Sequence, residues 1–244
     1  MSGTPREEHV ACVDLACSLL DAVEEYSIAE GDVPGLLVLH GLAMYARDTA
    51  RAASALLADG QTLAASALTR VVIEHAVLAQ WLKVDPETRG SLFLQQSEVE
   101  RHRWFDVVLA ANFDLIDPVH AALTKVKERE RGPKPKNVAR EFDTVKNLFG
   151  DTDQGRQMYL TYRNLSQFVH PSAVTFSRYM GELPHGRLLS TRLQVVQNAE
   201  ALAFYLACAT TMCTLPYLDA LDEVEGATSL RATAGDSEVA TALD

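Results

Sequence analysis

The feature that most restricts the fold of this chain is a series of long segments with helical apolar spacing, separated by Gly and Pro. The clearest runs from Thr62 to Val84, repeats apolar residues every three or four positions, and is ended by Asp85-Pro86. No alternation of apolar and polar residues persists for longer than a few positions, so strands are not indicated. The pattern predicts an all-α fold, a bundle of about seven to eight helices.

The positions of helix starts and breakers predict the organisation of the chain. Thr4-Pro5 followed by two acids is a helix start, and Gly31 stops that helix. Further helices are predicted at about 34–58, 62–84, 87–112, from 117 into a basic segment, 137–149, 153–169 and 189–220, with a turn at 181–186. We predict one all-helical domain over residues 1–225, with its motif region at 153–220, and a disordered acidic tail over 226–244.

The charge is unevenly distributed. The net charge is −11, which argues against general affinity for nucleic acid. However, residues 125–140 hold seven basic side chains against two acidic ones, a net of +5. The breakers Gly132, Pro133 and Pro135 make this segment a loop. We therefore predict that Lys134, Lys136 and Arg140 would be its contacts to RNA, and the alternative is a solvated loop.

Localisation and cofactors follow from what the sequence lacks. Four cysteines occur without a Cys-x-x-Cys or a zinc-type Cys/His spacing, which is typical of buried thiols in a reducing compartment. No apolar signal core is present near the N-terminus, and no Glu-x-x-His suitable for a di-iron bundle occurs. We expect a cytoplasmic protein with no membrane association, no metal and no cofactor.

One short motif suggests chemistry. In Tyr162-Arg163-Asn164-Leu165-Ser166-Gln167-Phe168-Val169-His170-Pro171, Arg163 and His170 lie seven positions apart, close to two helical turns, and thus share a face. A histidine can move a proton near neutral pH, and an arginine can grip a phosphate and its developing charge. Arg163, His170 and Asn164 are the candidate catalytic residues for cleavage of a phosphodiester. The alternative is that the pair caps the end of a helix.

The spacing of Arg163 and His170 resembles the Arg-x(4–6)-His signature of HEPN domains, an all-helical superfamily with many metal-independent endoribonucleases of bacterial toxin and defence systems. The resemblance implies a HEPN-like core preceded by extra N-terminal helices. It also implies an RNA substrate, a homodimer that brings two motifs together, and possible antitoxin or defence partners.

A second block lies on the helix predicted at 62–84. Arg70 and Glu74 are four apart within an apolar surrounding, so we expect them to pair. With the Ser-x-x-x-His-Pro-Ser block at 166–172, this Arg-x-x-x-Glu helix resembles an uncharacterised bacterial helical family, over about residues 35–218. Arg70, Glu74, Ser166 and Tyr162 are predicted to support the catalytic residues. An internal ion pair without functional meaning is the alternative.

Two readings of function remain open at this point. One is a HEPN-like, metal-independent endoribonuclease. The other is a non-catalytic helical module that binds a nucleotide or a protein. Tyr162 and Tyr179 are candidates for stacking on bases, although packing within the fold would also explain them.

Overall fold

The computed structural model describes residues 4–23, 33–97, 148–150, 152–167, 180–183, 186–189 and 198–243. The elements within these ranges are α1 (Pro5–Ala22), α2 (Val33–Ala58), α3 (Thr62–Val84), α4 (86–97), α5 (Asp153–Ser166), β1 (Met180–Leu183), β2 (Gly186–Leu189), α6 (Ala199–Ala220) and α7 (Val224–Asp236). The predicted all-α bundle is confirmed, and the limits of α3 agree with the prediction at both ends.

Helix α6 forms the centre of the bundle. It packs against α1, α2, α3 and α7, and every residue from Leu206 to Leu218 is buried. Because α6 is buried on all sides, its sequence has no polar face and therefore shows no amphipathic pattern.

The ends of the first helices are capped as their sequences predict. At the start of α1, the Glu7 carboxylate accepts from the Thr4 backbone N–H (2.7 Å), and the Glu7 N–H donates to the Thr4 hydroxyl (3.4 Å). The first of these bonds lowers the pKa of Glu7. At the end of α2, Gly60 has φ +75°, and Gln61 N–H donates to the Leu56 carbonyl (2.8 Å). This is a Schellman termination, which needs one residue in the left-handed backbone conformation, and glycine adopts that conformation most easily.

A proline inside α6 has a specific compensation. Pro216 has no N–H, so the Met212 carbonyl one turn earlier loses its helical donor. Gln80 of α3 supplies the replacement, because its Nε2 donates to the Met212 carbonyl oxygen (2.7 Å). Met212 is fully buried, so an unpaired carbonyl there would be costly. The bond thus ties α3 to α6 at the proline.

The segment before α6 differs from the prediction. Strands β1 and β2 pair as an antiparallel hairpin, with Met180 opposite Leu189 and Leu183 opposite Gly186. Gly181 and Gly186 therefore belong to strands, and Leu189 ends a strand instead of beginning the last long helix. Helix α6 begins at Ala199, capped by the Asn198 side chain, which accepts from Glu200 N–H (3.0 Å).

The expectation of a disordered tail over 226–244 was wrong. Residues Val224–Asp236 form helix α7, and Ala227, Leu230, Ala234 and Val239 are buried against the core. Within α7, Ala227, Leu230 and Ala234 lie three and four apart, which provides a buried face despite the small and polar composition. The assignment of residues 1–225 to a single domain stays a prediction.

The four cysteines are buried and free. Burial raises the pKa of Cys17 to about 11, and those of Cys208 and Cys213 to about 12. Burial also raises the pKa of Cys12, whose thiol lies 3.4 Å from the Thr211 hydroxyl. The thiols are therefore protonated and unreactive at neutral pH.

Two described helices, α3 and α6, are long and apolar enough to cross a membrane by length and composition alone. In α6, 83% of the most apolar 18-residue window is buried inside the protein, and in α3 the share is 44%. The core helix of a soluble protein meets the same criterion, so these two helices are weak grounds for a membrane span.

Candidate functional site

Helix α5 carries the motif residues, and its start is closely fixed. The Thr152 hydroxyl accepts from Gly155 N–H (3.0 Å) and donates to the Leu243 carbonyl oxygen (3.0 Å). A Cβ on Gly155 would lie 1.9 Å from the Phe149 carbonyl oxygen, so no larger residue fits without movement of the backbone. The first turn of α5 is thus held against residue 149 and the C-terminal segment.

The inner face of α5 packs against α3 through Arg70. Its Nε donates to the Ser166 hydroxyl (2.9 Å), and its Nη2 donates to Glu74 Oε1 (2.8 Å) and to the Tyr162 hydroxyl (3.0 Å). The guanidinium carbon also lies 5.0 Å from the centre of the Tyr162 ring. The predicted Arg70–Glu74 ion pair is confirmed.

The remaining hydrogen bonds close this set of four residues, which we call the Arg70 network (Arg70, Glu74, Tyr162 and Ser166). The Tyr162 hydroxyl donates to Glu74 Oε1 (2.9 Å), and the Ser166 hydroxyl donates to the Tyr162 carbonyl (2.7 Å). Each hydroxyl therefore accepts from Arg70 and donates onward. The side chains of Arg70 and Glu74 retain 17% and 29% of their exposure, so the network is largely shielded from water.

The outer face of α5 is exposed to solvent. Leu160, Arg163 and Asn164 lie three and four apart on this face, and Leu160 is 63% exposed. Neither the Arg163 nor the Asn164 side chain has a hydrogen-bond or ion-pair partner among the residues that the structure describes. An exposed arginine without a carboxylate partner is available to an anionic ligand.

The network and the motif arginine therefore occupy different faces. We expected Arg70 or Glu74 to pack against the face that carries Arg163, but both contact the Tyr162 and Ser166 side of the helix. Successive residues of a helix are about 100° apart, so a side chain bound to Tyr162 does not reach its neighbour Arg163. The network holds the helix and not the arginine itself.

The structure does not describe every predicted site residue. His170, Lys134, Lys136 and Arg140 lie outside the described residues. Tyr162 is described, and only 9% of its surface is exposed. Because its ring faces Arg70 and its hydroxyl is bonded twice, Tyr162 cannot stack on a base, and this prediction is corrected.

A cleft adjoins Asn164 on the side of α6. It has a volume of about 210 Å³ and runs between the second half of α5 and the first two turns of α6. Seven residues line it: Thr161, Asn164 and Leu165 from α5, and Asn198, Ala201, Leu202 and Tyr205 from α6 and its cap. The structure thus places α6 beside the motif helix. The predicted motif region, 153–220, included both helices, but no residue of α6 was among the predicted site residues.

Sequence reasoning missed Asn198 and Tyr205. Asn198 precedes Ala199-Glu200, and an asparagine followed by an acid in the first turn is a recognisable helix start. The helical spacing of apolar residues from Leu189 onward hid this signal, because residues 189–220 were assigned to one long helix. Which residues face Asn164 across the cleft depends on tertiary packing that no local pattern indicates.

Metal ligands are not grouped in this part of the protein. Among the described residues, no set of three or more His, Cys, Asp or Glu side chains lies close enough together to hold a metal ion. Apart from the paired carboxylates of Glu74 and Asp153, the polar groups around α5 are guanidiniums, amides and hydroxyls, which bind anions and neutral polar ligands by hydrogen bonding.

Comparison with known proteins gave one family match. A family model described as "Family of unknown function (DUF5677)" matches residues 36–187, more than half of the chain. The matched region contains the whole Arg70 network together with Arg163 and Asn164. The comparisons with curated proteins and with solved structures returned no match.

Proposed function

The chain belongs to this family of unknown function, and we propose from its own residues that it is a HEPN-like, metal-independent endoribonuclease of a bacterial toxin or defence system, acting in the cytoplasm. The observation that carries the proposal is the position of Arg163. It is exposed and without a described partner, on a helix that the Arg70 network fixes through Tyr162 and Ser166. A cation placed in this way can bind the phosphate of an RNA strand.

The mechanism follows from the chemistry of the motif residues. Arg163 holds the scissile phosphate and offsets the charge that develops on its oxygens. His170 removes the proton of the ribose 2′-hydroxyl, whose oxygen forms a bond to phosphorus while the bond from phosphorus to the 5′ oxygen breaks. The protonated His170 then gives its proton to the departing 5′ oxygen, and the products are a 2′,3′-cyclic phosphate and a 5′-hydroxyl end.

The Arg70 network supports this mechanism by limiting the motion of the helix. Four side chains from two helices share five hydrogen bonds, and Gly155 holds the start of α5 against residue 149. Catalytic groups need placement to within about 0.5 Å, which requires such a rigid support. Asn164, next along the helix, orients the phosphate or a neighbouring group.

A homodimer is part of the proposal. In the HEPN superfamily, which the motif resembles, two motifs meet across a dimer interface. Leu160 is 63% exposed one turn before Arg163, and such a leucine is suited to burial against a second copy or against an antitoxin or defence partner. The basic residues Lys134, Lys136 and Arg140 would then bind RNA beside the two motifs.

The decisive experiment compares variants in an RNA cleavage assay. We expect His170→Ala to abolish cleavage without loss of folding, and Arg163→Lys to be severely impaired, because an ammonium cannot reproduce the planar guanidinium fork. Arg156→Lys is the matched control, since Arg156 lies on the same helix but is paired with Asp153. EDTA should have no effect, and the products should carry 2′,3′-cyclic phosphates.

The proposal fails if the purified wild type cleaves no RNA across a broad panel, or if His170→Ala unfolds the protein. The alternative would then hold: a non-catalytic helical module that binds a nucleotide or a protein. The exposed Leu160 favours a protein partner in that case.

A further inference from the structure

The cleft beside Asn164 has features of a binding site, and apart from Asn164 its lining residues take no part in the cleavage mechanism. Its walls combine the apolar side chains of Leu165 and Leu202 with two amides, Asn164 and Asn198, and the half-buried ring of Tyr205. The Asn198 oxygen is engaged in capping α6, but the Asn164 amide has no partner among the described residues. One amide of the cleft is therefore free to bind a ligand.

Size and charge restrict the ligand. The volume of about 210 Å³ is below the range of about 300–1,000 Å³ that encloses a drug-sized molecule. None of the described lining residues is charged, so the cleft contains no cation to hold a phosphate group. An aromatic ring, apolar walls and an amide that both donates and accepts suit a small, flat, uncharged group with a hydrogen-bonding edge.

We propose that the cleft binds one unpaired base of the RNA strand, with the Asn164 amide bonded to the edge of the base and the Tyr205 ring against its face. The proposal rests on the proposed action on RNA. Asn164 directly follows Arg163, and neighbouring Cα atoms are 3.8 Å apart, so a phosphate at Arg163 and a base at Asn164 belong to one short stretch of strand.

The consequence is a base preference close to the bound phosphate. Proteins that select single-stranded RNA commonly stack the base on an aromatic ring and bond its edge with amides. An amide side chain that makes two hydrogen bonds to the edge of one base discriminates between bases by about 5- to 150-fold. The amide sets which base is preferred, and the ring contributes affinity for any base.

The test measures binding without cleavage. The probes are fluorescein-labelled oligonucleotides of eight A, eight C or eight U residues with 2′-O-methyl ribose, which cannot be cut through a 2′-hydroxyl. We expect the wild type to prefer one of the three by at least about fivefold. Asn164→Ala should remove the preference, and Tyr205→Leu should weaken binding of all three by at least about fivefold.

Two further variants control for folding and position. Tyr205→Phe keeps the aromatic face and should bind like the wild type, whereas a folding defect would affect both substitutions of Tyr205. Gln157→Ala removes an exposed amide of α5 that does not line the cleft, and it should leave the preference unchanged.

The outcomes separate the two proposals. A preference that is lost in Asn164→Ala and kept in Gln157→Ala supports the base site, even if the wild type cuts no RNA. Equal affinity for the three oligonucleotides, a preference unchanged in Asn164→Ala, affinities unchanged in Tyr205→Leu, or no binding at millimolar protein each overturns it. RNA cleavage by the wild type would still stand in those cases.

Discussion

At the scale of single residues, the Arg70 network shows how one arginine satisfies a buried polar surface. A guanidinium has five N–H donors and no acceptor, so it needs oxygens on several sides. Ser166, Tyr162 and Glu74 provide these oxygens from two helices. Each of the two hydroxyls also donates a hydrogen bond to a further acceptor, so neither O–H is left unpaired.

Glu74→Gln should lower the free energy of unfolding by about 1–3 kcal/mol, because an amide replaces the only negative charge of the network. The loss should be smaller than the 3–5 kcal/mol known for fully buried pairs, since Arg70 and Glu74 keep 17% and 29% exposure. Urea unfolding measures the change. Arg163→Gln is the control, with an expected effect within about 0.5 kcal/mol. Equal effects in the two variants would contradict a structural role of the network.

The buried thiols predict a loss of stability in alkali. Burial raises the pKa of Cys213 to about 12, whereas an unfolded cysteine titrates near 8.5. The unfolded state therefore releases a proton that the folded state keeps. The stabilising effect is complete below about pH 8.5 and is lost as pH rises toward the folded pKa, by up to about 1.4 kcal/mol per pH unit.

Unfolding by urea at pH 8 and pH 10 measures this loss, and Cys213→Ala is the comparison. The alanine variant should be less stable at pH 8 because of its cavity, but its stability should fall less steeply with pH. Parallel pH profiles for the two proteins would show that Cys213 does not contribute.

Part of the site was predictable at this scale. The Arg70–Glu74 pair follows from its four-residue spacing within an apolar helix, because unpaired charges would be costly there. The hydrogen bonds from Arg70 to Tyr162 and Ser166 could not be predicted in this way, because these residues lie 92 and 96 positions away from Arg70. Sequence spacing restricts contacts within a helix but not contacts between helices.

At the scale of elements, the hydrogen bond from Gln80 to the Met212 carbonyl explains how a central helix tolerates Pro216. Each residue alone is unusual: a glutamine facing a core helix, and a proline within that helix. Together they restore the missing hydrogen bond of the Met212 carbonyl.

A double-mutant cycle tests this pairing. Gln80→Leu should cost about 1–3 kcal/mol in the wild type, because it leaves the buried Met212 carbonyl unpaired. In a Pro216→Ala background the new N–H can bond that carbonyl, so the same substitution should cost less by about 1 kcal/mol. Unfolding free energies from urea titrations give the coupling. Additive effects would mean that the two residues act independently.

Helix limits were predictable where local signals determine them. The signals are local: Thr4 caps the start of α1, Gly60 ends α2 in a left-handed conformation, and Asp85 is the residue at which α3 ends. The start of α6 was not predicted, because residues 186–189 pair with 180–183 and the pairing of strands overrides helical composition.

At the scale of the whole molecule, the C-terminal segment belongs to the core. Leu230 of α7 is fully buried, and the Leu243 carbonyl is bonded to Thr152 at the start of α5. The error in predicting a disordered tail came from composition, since residues 226–244 contain few large apolar side chains. A few correctly spaced residues suffice when a preformed surface receives them.

Leu230→Ala should therefore destabilise the protein by about 2–5 kcal/mol through loss of contacts and a residual cavity. Ser229→Ala is the control, because Ser229 is exposed on the same helix and should have little effect. Thermal unfolding followed by circular dichroism distinguishes the two. If both variants melt like the wild type, residues 224–236 do not pack on the core.

The hydrogen bond between Gln80 and Met212 also carries an evolutionary consequence. A mutation of Gln80 should be more harmful while Pro216 is present, and the proline should be better tolerated while a donor faces its helix. The two positions should therefore change together among related chains that include both helices: lineages without the proline should be free to replace the glutamine by an apolar residue, and lineages with it should not.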